Sequence, residues 1–464
     1  MTGTTSRTGR TGWTGAKGTR ARTGAGARIP ARIALVSFVS FVSVVSFVSS
    51  VRCADAQALA QRGFVEGSVV LFPQEAPNDR TRAVTDLFVR EELFFKPAAW
   101  MRFAGGLELR ANSHDQVEDD GWRLDGADRG IRRPRLSLRR LTATLTRGAF
   151  TIDAGKQFIR WGKADIINPT DRFAPRDFLN VVDTEFLAVT GVHGVAQHGP
   201  DTFEAVWLPR FTPSRVPLLD QRWTPVPTEA ASVRLADAGA ALPRGSETGV
   251  RWGHVGDGYE YSLSFFNGFN HLANIEAVPA FNADAAALAA TAGAAPPAGS
   301  ALILIRRNFP AIRSYGADAV VPTKWFTIKG EAAYFTSSTP LTDEYVLYVV
   351  QLERQTGEWV IVAGYAGEMV TARRSTLTFA PDRGMTRSIV ARASYTIDPV
   401  RSVAVEAAVR QNGDGVYGKV EYSQARGPHW RATVTGVGIG GHSDDFLGQY
   451  HRNSHLSVAL RYSF

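Results

Sequence analysis

The sequence predicts an all-β protein: a transmembrane antiparallel β-barrel of about 14–18 strands, with 16 or 18 preferred, and with loops folded into its lumen. Three observations carry this. Beyond residue 57 of the 464-residue chain no apolar stretch approaches the roughly 18 residues a membrane helix needs. What recurs instead is alternation of apolar and polar residues over about ten positions, broken by Gly, Pro, Asn and Asp. Aromatic residues also gather near the ends of these segments: Trp325, Tyr334, Phe335, Tyr345, Trp359, Tyr365, Tyr395, Tyr422, Trp430, Tyr450 and Tyr462. Membrane barrels place their interfacial girdles there.

Residues 1–30 are near-repeats of Thr, Gly, Arg and Ala with almost nothing to bury, which predicts a disordered extension. Residues 31–56 read as a signal peptide. Arg28 and Arg32 precede an apolar run from Ile33 to Val51, and Ala54-Asp55-Ala56 supplies a small-x-small cleavage site. A retained membrane anchor is the competing reading of that run. The barrel is expected over residues 57–464.

Charge supports the same division. The formal net charge is +8, but eight basic residues and only one acid, Asp55, lie in residues 1–56. The remainder is almost neutral, which excludes a polyanion-binding surface spread over the body. A single Cys excludes a disulfide framework and a Cys-based zinc site.

Alternation gives each segment two faces. Leu456, Val458, Leu460, Tyr462 and Phe464 share one face, opposite His455, Ser457, Ala459, Arg461 and Ser463. Met101, Phe103, Leu107 and Leu109 oppose Arg102, Glu108 and Arg110. Eighteen candidate strands emerge, near 67–72, 84–95, 99–111, 135–147, 149–160, 188–198, 201–208, 247–255, 258–267, 311–320, 323–336, 344–354, 358–369, 385–397, 401–411, 415–424, 428–438 and 453–464. A soluble sandwich also alternates. Number, girdles and export favour the barrel, whose closure leaves no backbone group unpaired in lipid. The stretches 160–187, 209–246 and 270–310 are too long for turns and are expected to narrow the lumen. The Ala-rich part, Ala283 to Ala295, is expected to form a short helix.

The most distinctive run is Gly155-Lys156-Gln157-Phe158-Ile159-Arg160-Trp161-Gly162-Lys163-Ala164-Asp165-Ile166-Ile167-Asn168-Pro169-Thr170-Asp171, continuing to Ala174-Pro175-Arg176-Asp177. A second piece is Trp207-Leu208-Pro209-Arg210-Phe211. Over residues 150–217 the sequence resembles a family of porin-like outer-membrane barrels with a GRQ or GKQ strand running into WG-x-x-D, I-N-P-x-D and a P-x-D/R-D step. Alginate-export-type channels are similar more distantly. The resemblance implies a barrel placed for transport and names no substrate. The terminal Leu460-Arg461-Tyr462-Ser463-Phe464 resembles the insertion signal that the barrel-assembly machinery reads, which would make that machinery a partner through Phe464.

Read physically, the run is a strand turning inward, with Asn168-Pro169 and Asp171 offering Asx-type turns. Lys156, Arg160, Lys163, Asp165, Asp171, Arg172, Arg176 and Asp177 then form a charge lattice that either lines the passage or pins the segment to the wall. Arg102, Arg110 and Arg139 occupy neighbouring strands, and a basic lumen favours anions. The alternative is that these arginines pair with nearby acids such as Asp115, Glu118 and Asp128.

The function expected is passive passage or export of polar, including anionic, solutes through the outer membrane. Its surroundings are lipid. No catalytic residue, cofactor, metal or nucleic acid is called for, and homo-oligomerisation is compatible with the pattern. Two alternatives remain: a lipase-like barrel hydrolase using His455 and Ser457, and a plugged structural or assembly barrel.

Overall fold

The computed structural model describes residues 59–119, 121–225, 233–279, 301–375 and 383–464. The expected extension, signal peptide and Ala-rich helix lie outside these residues. Eighteen long strands follow in order: β1 (Leu59–Leu71), β2 (Ala83–Ala98), β3 (Met101–Asn112), β4 (Leu136–Arg147), β5 (Phe150–Gln157), β6 (Val189–His198), β7 (Asp201–Leu208), β8 (Glu247–Gly256), β9 (Tyr259–Phe269), β10 (Ala311–Pro322), β11 (Thr327–Ser337), β12 (Glu344–Thr356), β13 (Trp359–Ala372), β14 (Ser388–Asp398), β15 (Arg401–Arg410), β16 (Gly415–Arg426), β17 (Trp430–Gly441) and β18 (His455–Ser463). Each pairs antiparallel with its neighbours in the chain. β1 also pairs with β18, from Phe64 opposite Ser463 to Leu71 opposite Leu456, which closes the barrel. Closure satisfies every strand edge, the condition a sheet must meet in hydrocarbon.

The expected segments each become a strand, with shifted ends. β1 begins at Leu59 rather than near 67, and β5 stops at Gln157 rather than 160, because Phe158 onward leaves the ladder and turns inward.

Alternation decides which side chains face out. Leu456, Val458 and Leu460 are about half exposed on the outer surface, as are Phe150, Val250, Val420 and Val434. A soluble sandwich would pack such rows into a dry core. Here they coat the outside, while the polar rows line the inside. The outer aromatic band holds for Trp325, Trp359, Tyr395, Tyr422, Trp430 and Tyr462, and Trp359 packs tilted against Tyr395 with centroids 4.7 Å apart. Three expected members are corrected. Phe335 and Tyr345 point inward and are buried beneath a loop, and Tyr450 sits in a short 3₁₀ helix, Gly448–Asn453.

The two ends of the barrel differ. At one end all eight connections, such as 99–100, 148–149 and 257–258, are two to four residues long, and the start of β1 and the end of β18 lie at that same end. There Phe464 exchanges both backbone hydrogen bonds with Gly63, each 3.0 Å. The opposite end carries the long stretches 113–135, 158–188, 209–246 and 270–310. This is the asymmetry of short-turn and long-loop ends seen in outer-membrane barrels.

Candidate functional site

The inward stretch 158–188 organises the lumen. It is anchored first by apolar packing: Ile159, Trp161 and Phe173 join a buried cluster with Val206, Leu208, Phe266, Ile312, Phe335, Tyr345 and Leu347 from the wall. Phe173 is wedged edge-on between Trp161 and Phe266, 5.0 Å from each ring. These wall residues occupy inward positions near the long-loop end, where a hydrated lumen would call for polar side chains. Loss of alternation in Tyr345-Val346-Leu347-Tyr348-Val349-Val350 was the sequence signal for this anchor.

Polar groups then fix the backbone. The Asp171 carboxylate accepts the N–H groups of Trp161 and Gly162, both at 2.6 Å, and pairs with Arg160 at 3.1 Å. Glu331 of β11 accepts from the N–H of Lys163, Ala164 and Thr170 and from the Thr170 hydroxyl, at 2.8–3.1 Å. Asp165 donates its N–H to Gln351 Oε1 and accepts from Gln351 Nε2, and Lys329 reaches its carboxylate at 3.0 Å. The distinctive run is therefore a set of anchoring devices. Gly155 adopts φ 118°, and a Cβ there would lie 2.1 Å from the Leu141 carbonyl oxygen, so only glycine fits without backbone movement.

Asp177 centres a second, charged cluster. Arg133 grips it with Nε and Nη2, at 2.9 and 3.0 Å, and Arg215 adds a third contact at 3.2 Å. Arg215 also holds Asp128, which accepts from Lys156. Burial alone would raise the Asp177 carboxyl, but the two guanidiniums outweigh it and hold it down at about 2. Beside this cluster His271 donates its Nδ1–H to the Thr212 carbonyl and stacks on Phe211 with centroids 5.1 Å apart; burial pushes its imidazole down to about 4.

The tip of the stretch crosses the lumen. On one side Glu185 accepts from Arg110 at 2.5 Å and Arg90 at 3.1 Å, with Arg110 lying 3.7 Å over the Phe88 ring. On the other, Lys419 of β16 donates to Asp183. Between the tip and the wall of β1–β3 and β14–β18 remains a cavity of about 820 Å³. Glu66, Glu406, Lys419, Glu421, Arg431 and Arg461 line it together with Ser402, Ser423, Thr433 and Thr435.

Among the candidates named from sequence, Arg110 borders this cavity. Lys156, Asp171 and Asp177 are buried in the anchoring clusters. Arg160 and Arg176 both lie against the Phe186 ring, at 4.3 and 4.2 Å from its centroid, and Arg172 lies 4.8 Å over Phe335. Lys163 pairs with Glu260 at 2.8 Å. Arg139 sits at a bulge where Gly106 pairs with Arg140 and Leu107 with Leu138. The extra residue turns both Arg139 and Arg140 inward, and Arg139 binds Glu108 at 2.6 Å. Arg102 and Arg140 form no ion pair among the described residues. Much of the basic group is thus neutralised by acids of the wall and loop. Sequence reasoning missed Asp183, Glu185 and Lys419. Lys419 shares strand parity with Glu421 on the inner face of β16, and nothing local marks the two loop acids.

His455 and Ser457 also line the cavity. His455 turns Nδ1 to the Asn453 carbonyl at 2.8 Å and packs its ring against Phe72 and Trp223. That placement does not favour a nucleophile–base pair.

No family model and no curated protein matches the sequence, including its 150–217 run. Among solved structures the chain is similar to OccAB4 of Acinetobacter baumannii, with 9% identity and a TM-score of 0.49 over 89% of this chain and 100% of that one. It is also similar to OpdQ of Pseudomonas aeruginosa, with 8% identity and a TM-score of 0.48 over 88% and 98%. A third is OpdK of Pseudomonas aeruginosa with vanillate, with 10% identity and a TM-score of 0.46 over 87% and 98%.

Proposed function

We propose that this chain is a porin-like channel of a bacterial outer membrane, passing or exporting polar solutes passively. The observation that carries it is the juxtaposition of faces: apolar rows coat a closed barrel, while its inside keeps a cavity of about 820 Å³ lined by charged and hydroxyl side chains. Closure without edges suits hydrocarbon, and a polar inner surface suits water and solute. The inward stretch narrows the lumen and leaves one bay for passage. No residue needs to perform chemistry.

Charge preference follows from which ions stay unpaired. Arg102, near the short-turn end, and Arg140, in the middle of β4, make no ion pair within 4 Å among the described residues, although Glu92 acts on Arg140 from further off; the two cations support a preference for anions. The chain arrives through its signal peptide and inserts through the strand ending at Phe464. Reconstitution in a planar bilayer tests the reading. Steady conductance is expected, and under a salt gradient the zero-current potential takes the sign of anion permeation. A barrel that never conducts is plugged and overturns the reading; better permeation by cations overturns the anion preference alone.

A further inference from the structure

The tip of the inward stretch is fastened unequally on its two sides. Glu185 lies between two guanidiniums, of which Arg110 is buttressed by Phe88. Detaching it would leave Arg110 without its ion-pair partner in a partly buried place, which is costly, although Arg90 would keep Glu108 at 2.8 Å. Asp183 hangs on a single ammonium, and its side chain is 55% exposed. The Lys419 side chain is only 15% exposed, but the open Asp183 end leaves the pair within reach of water and salt, which weakens it.

Lys419 also has somewhere else to turn. Glu421 lies 3.6 Å from its Nζ, and Glu406 stands directly opposite it in the β15–β16 register. Its charge is compensated whether or not Asp183 is in place. Asp183 in turn faces the hydrated cavity, so releasing it does not strand a buried carboxylate. Both arrangements are therefore low in energy, which is what a two-position element requires.

We propose that the Asp183–Lys419 pair is a releasable latch across the passage, and that Lys419 is the residue a negatively charged solute takes over from Asp183 as it goes through. The inference rests on the channel reading. Latched, the tip spans the lumen and solutes meet the narrow bay. When an anionic group occupies Lys419, the Asp183 side of the tip swings free while Glu185 remains as its hinge. The passage then widens for the class of solute that carries the competing charge. Because the Asp183 end of the pair is open to water, its removal shifts the balance of the two positions by about two- to fivefold.

Two measurements on the whole protein test this. In single-channel recording the wild type shows two conductance levels, and the larger gains occupancy from 0.1 M to 1 M KCl as the screening length falls from about 10 to about 3 Å. Acetate at fixed ionic strength also raises the larger level. Asp183→Asn and Lys419→Met favour the larger level at both salt concentrations and respond to acetate no further, whereas Lys419→Arg behaves as wild type. Independently, spin labels at Val182 and Thr433, which both line the cavity, report a longer distance in Asp183→Asn than in its parent. Levels and label distances unchanged by Asp183→Asn overturn the latch and leave the channel standing. A lengthened distance in a protein that never conducts overturns the channel and, with it, the role of Lys419 in passage.

Discussion

Replacing Glu331 by alanine removes one carboxylate that accepts three backbone N–H groups and one hydroxyl from residues 163–170. Each buried donor left without an acceptor costs about 1–3 kcal/mol, and hydrogen bonds to a charged group lie at the upper end of that scale. The four contacts share one anchor and do not add fully, so about 3–6 kcal/mol of local stability is lost. The apolar anchor survives. Ile159, Trp161 and Phe173 remain buried, at about 1.5–3 kcal/mol each. The two ends of the arm therefore stay down and Asp165 keeps Gln351 and Lys329, while the backbone at Lys163–Ala164 and at Thr170 loosens toward water. Trypsin reads this directly at the Lys163–Ala164 bond, which is expected to resist cleavage in the wild type and to be cut in Glu331→Ala before the barrel loses its heat-resistant form. Glu331→Gln keeps one acceptor oxygen and is expected to lie between them. A Lys163–Ala164 bond as resistant in Glu331→Ala as in its parent refutes the clamp.

Other consequences follow from the same geometry. Val420, half exposed in the middle of β16, faces hydrocarbon in the channel reading, so Val420→Arg should cost about 2–4 kcal/mol in lipid bilayers; a folding midpoint in vesicles unchanged from wild type would remove the membrane assignment. Arg102→Gln with Arg140→Gln should lower the anion-to-cation permeability ratio without altering thermal stability, while Lys156→Gln, which strips Asp128 of a buried partner, should do the reverse. Acid should loosen the inward stretch in two stages. His271 favours its neutral form when folded, so its contribution is present above about 6.5 and fades as pH falls through about 4. Asp177, held low by Arg133 and Arg215, contributes above about 4 and is lost as pH falls toward 2. Urea midpoints against pH should show both steps, and His271→Gln should abolish the first; a single step at the lower pH in the wild type would contradict the burial of His271.

The barrel was legible in the sequence because strand alternation is a local property that lipid enforces residue by residue. The rows Leu456-Val458-Leu460 and Arg102-Glu108-Arg110 needed only a count of two to be assigned to opposite faces, and the turn residues punctuated eighteen segments. The position of the strand at 135–147 was readable, yet not the bulge at Arg139, which depends on how β4 registers against β3. The inward run stands out in the sequence by its dense charges, Gly, Pro and Trp, but nothing in that pattern assigns each charge its partner. Whether Asp171 captures its own neighbours' N–H groups or a distant arginine is settled by a loop path, and that path is set by Phe173 meeting Phe266 and Phe335, up to 162 positions further along. Local chemistry thus determined a closed sheet with a greasy outside and a wet inside. Only the tertiary arrangement decided which charges cancel, which remain free, and that Asp183 and Lys419, 236 residues apart, meet across the lumen. Such meetings depend on how a long loop folds back into an enclosed space, a constraint with no period and therefore no trace in a sequence.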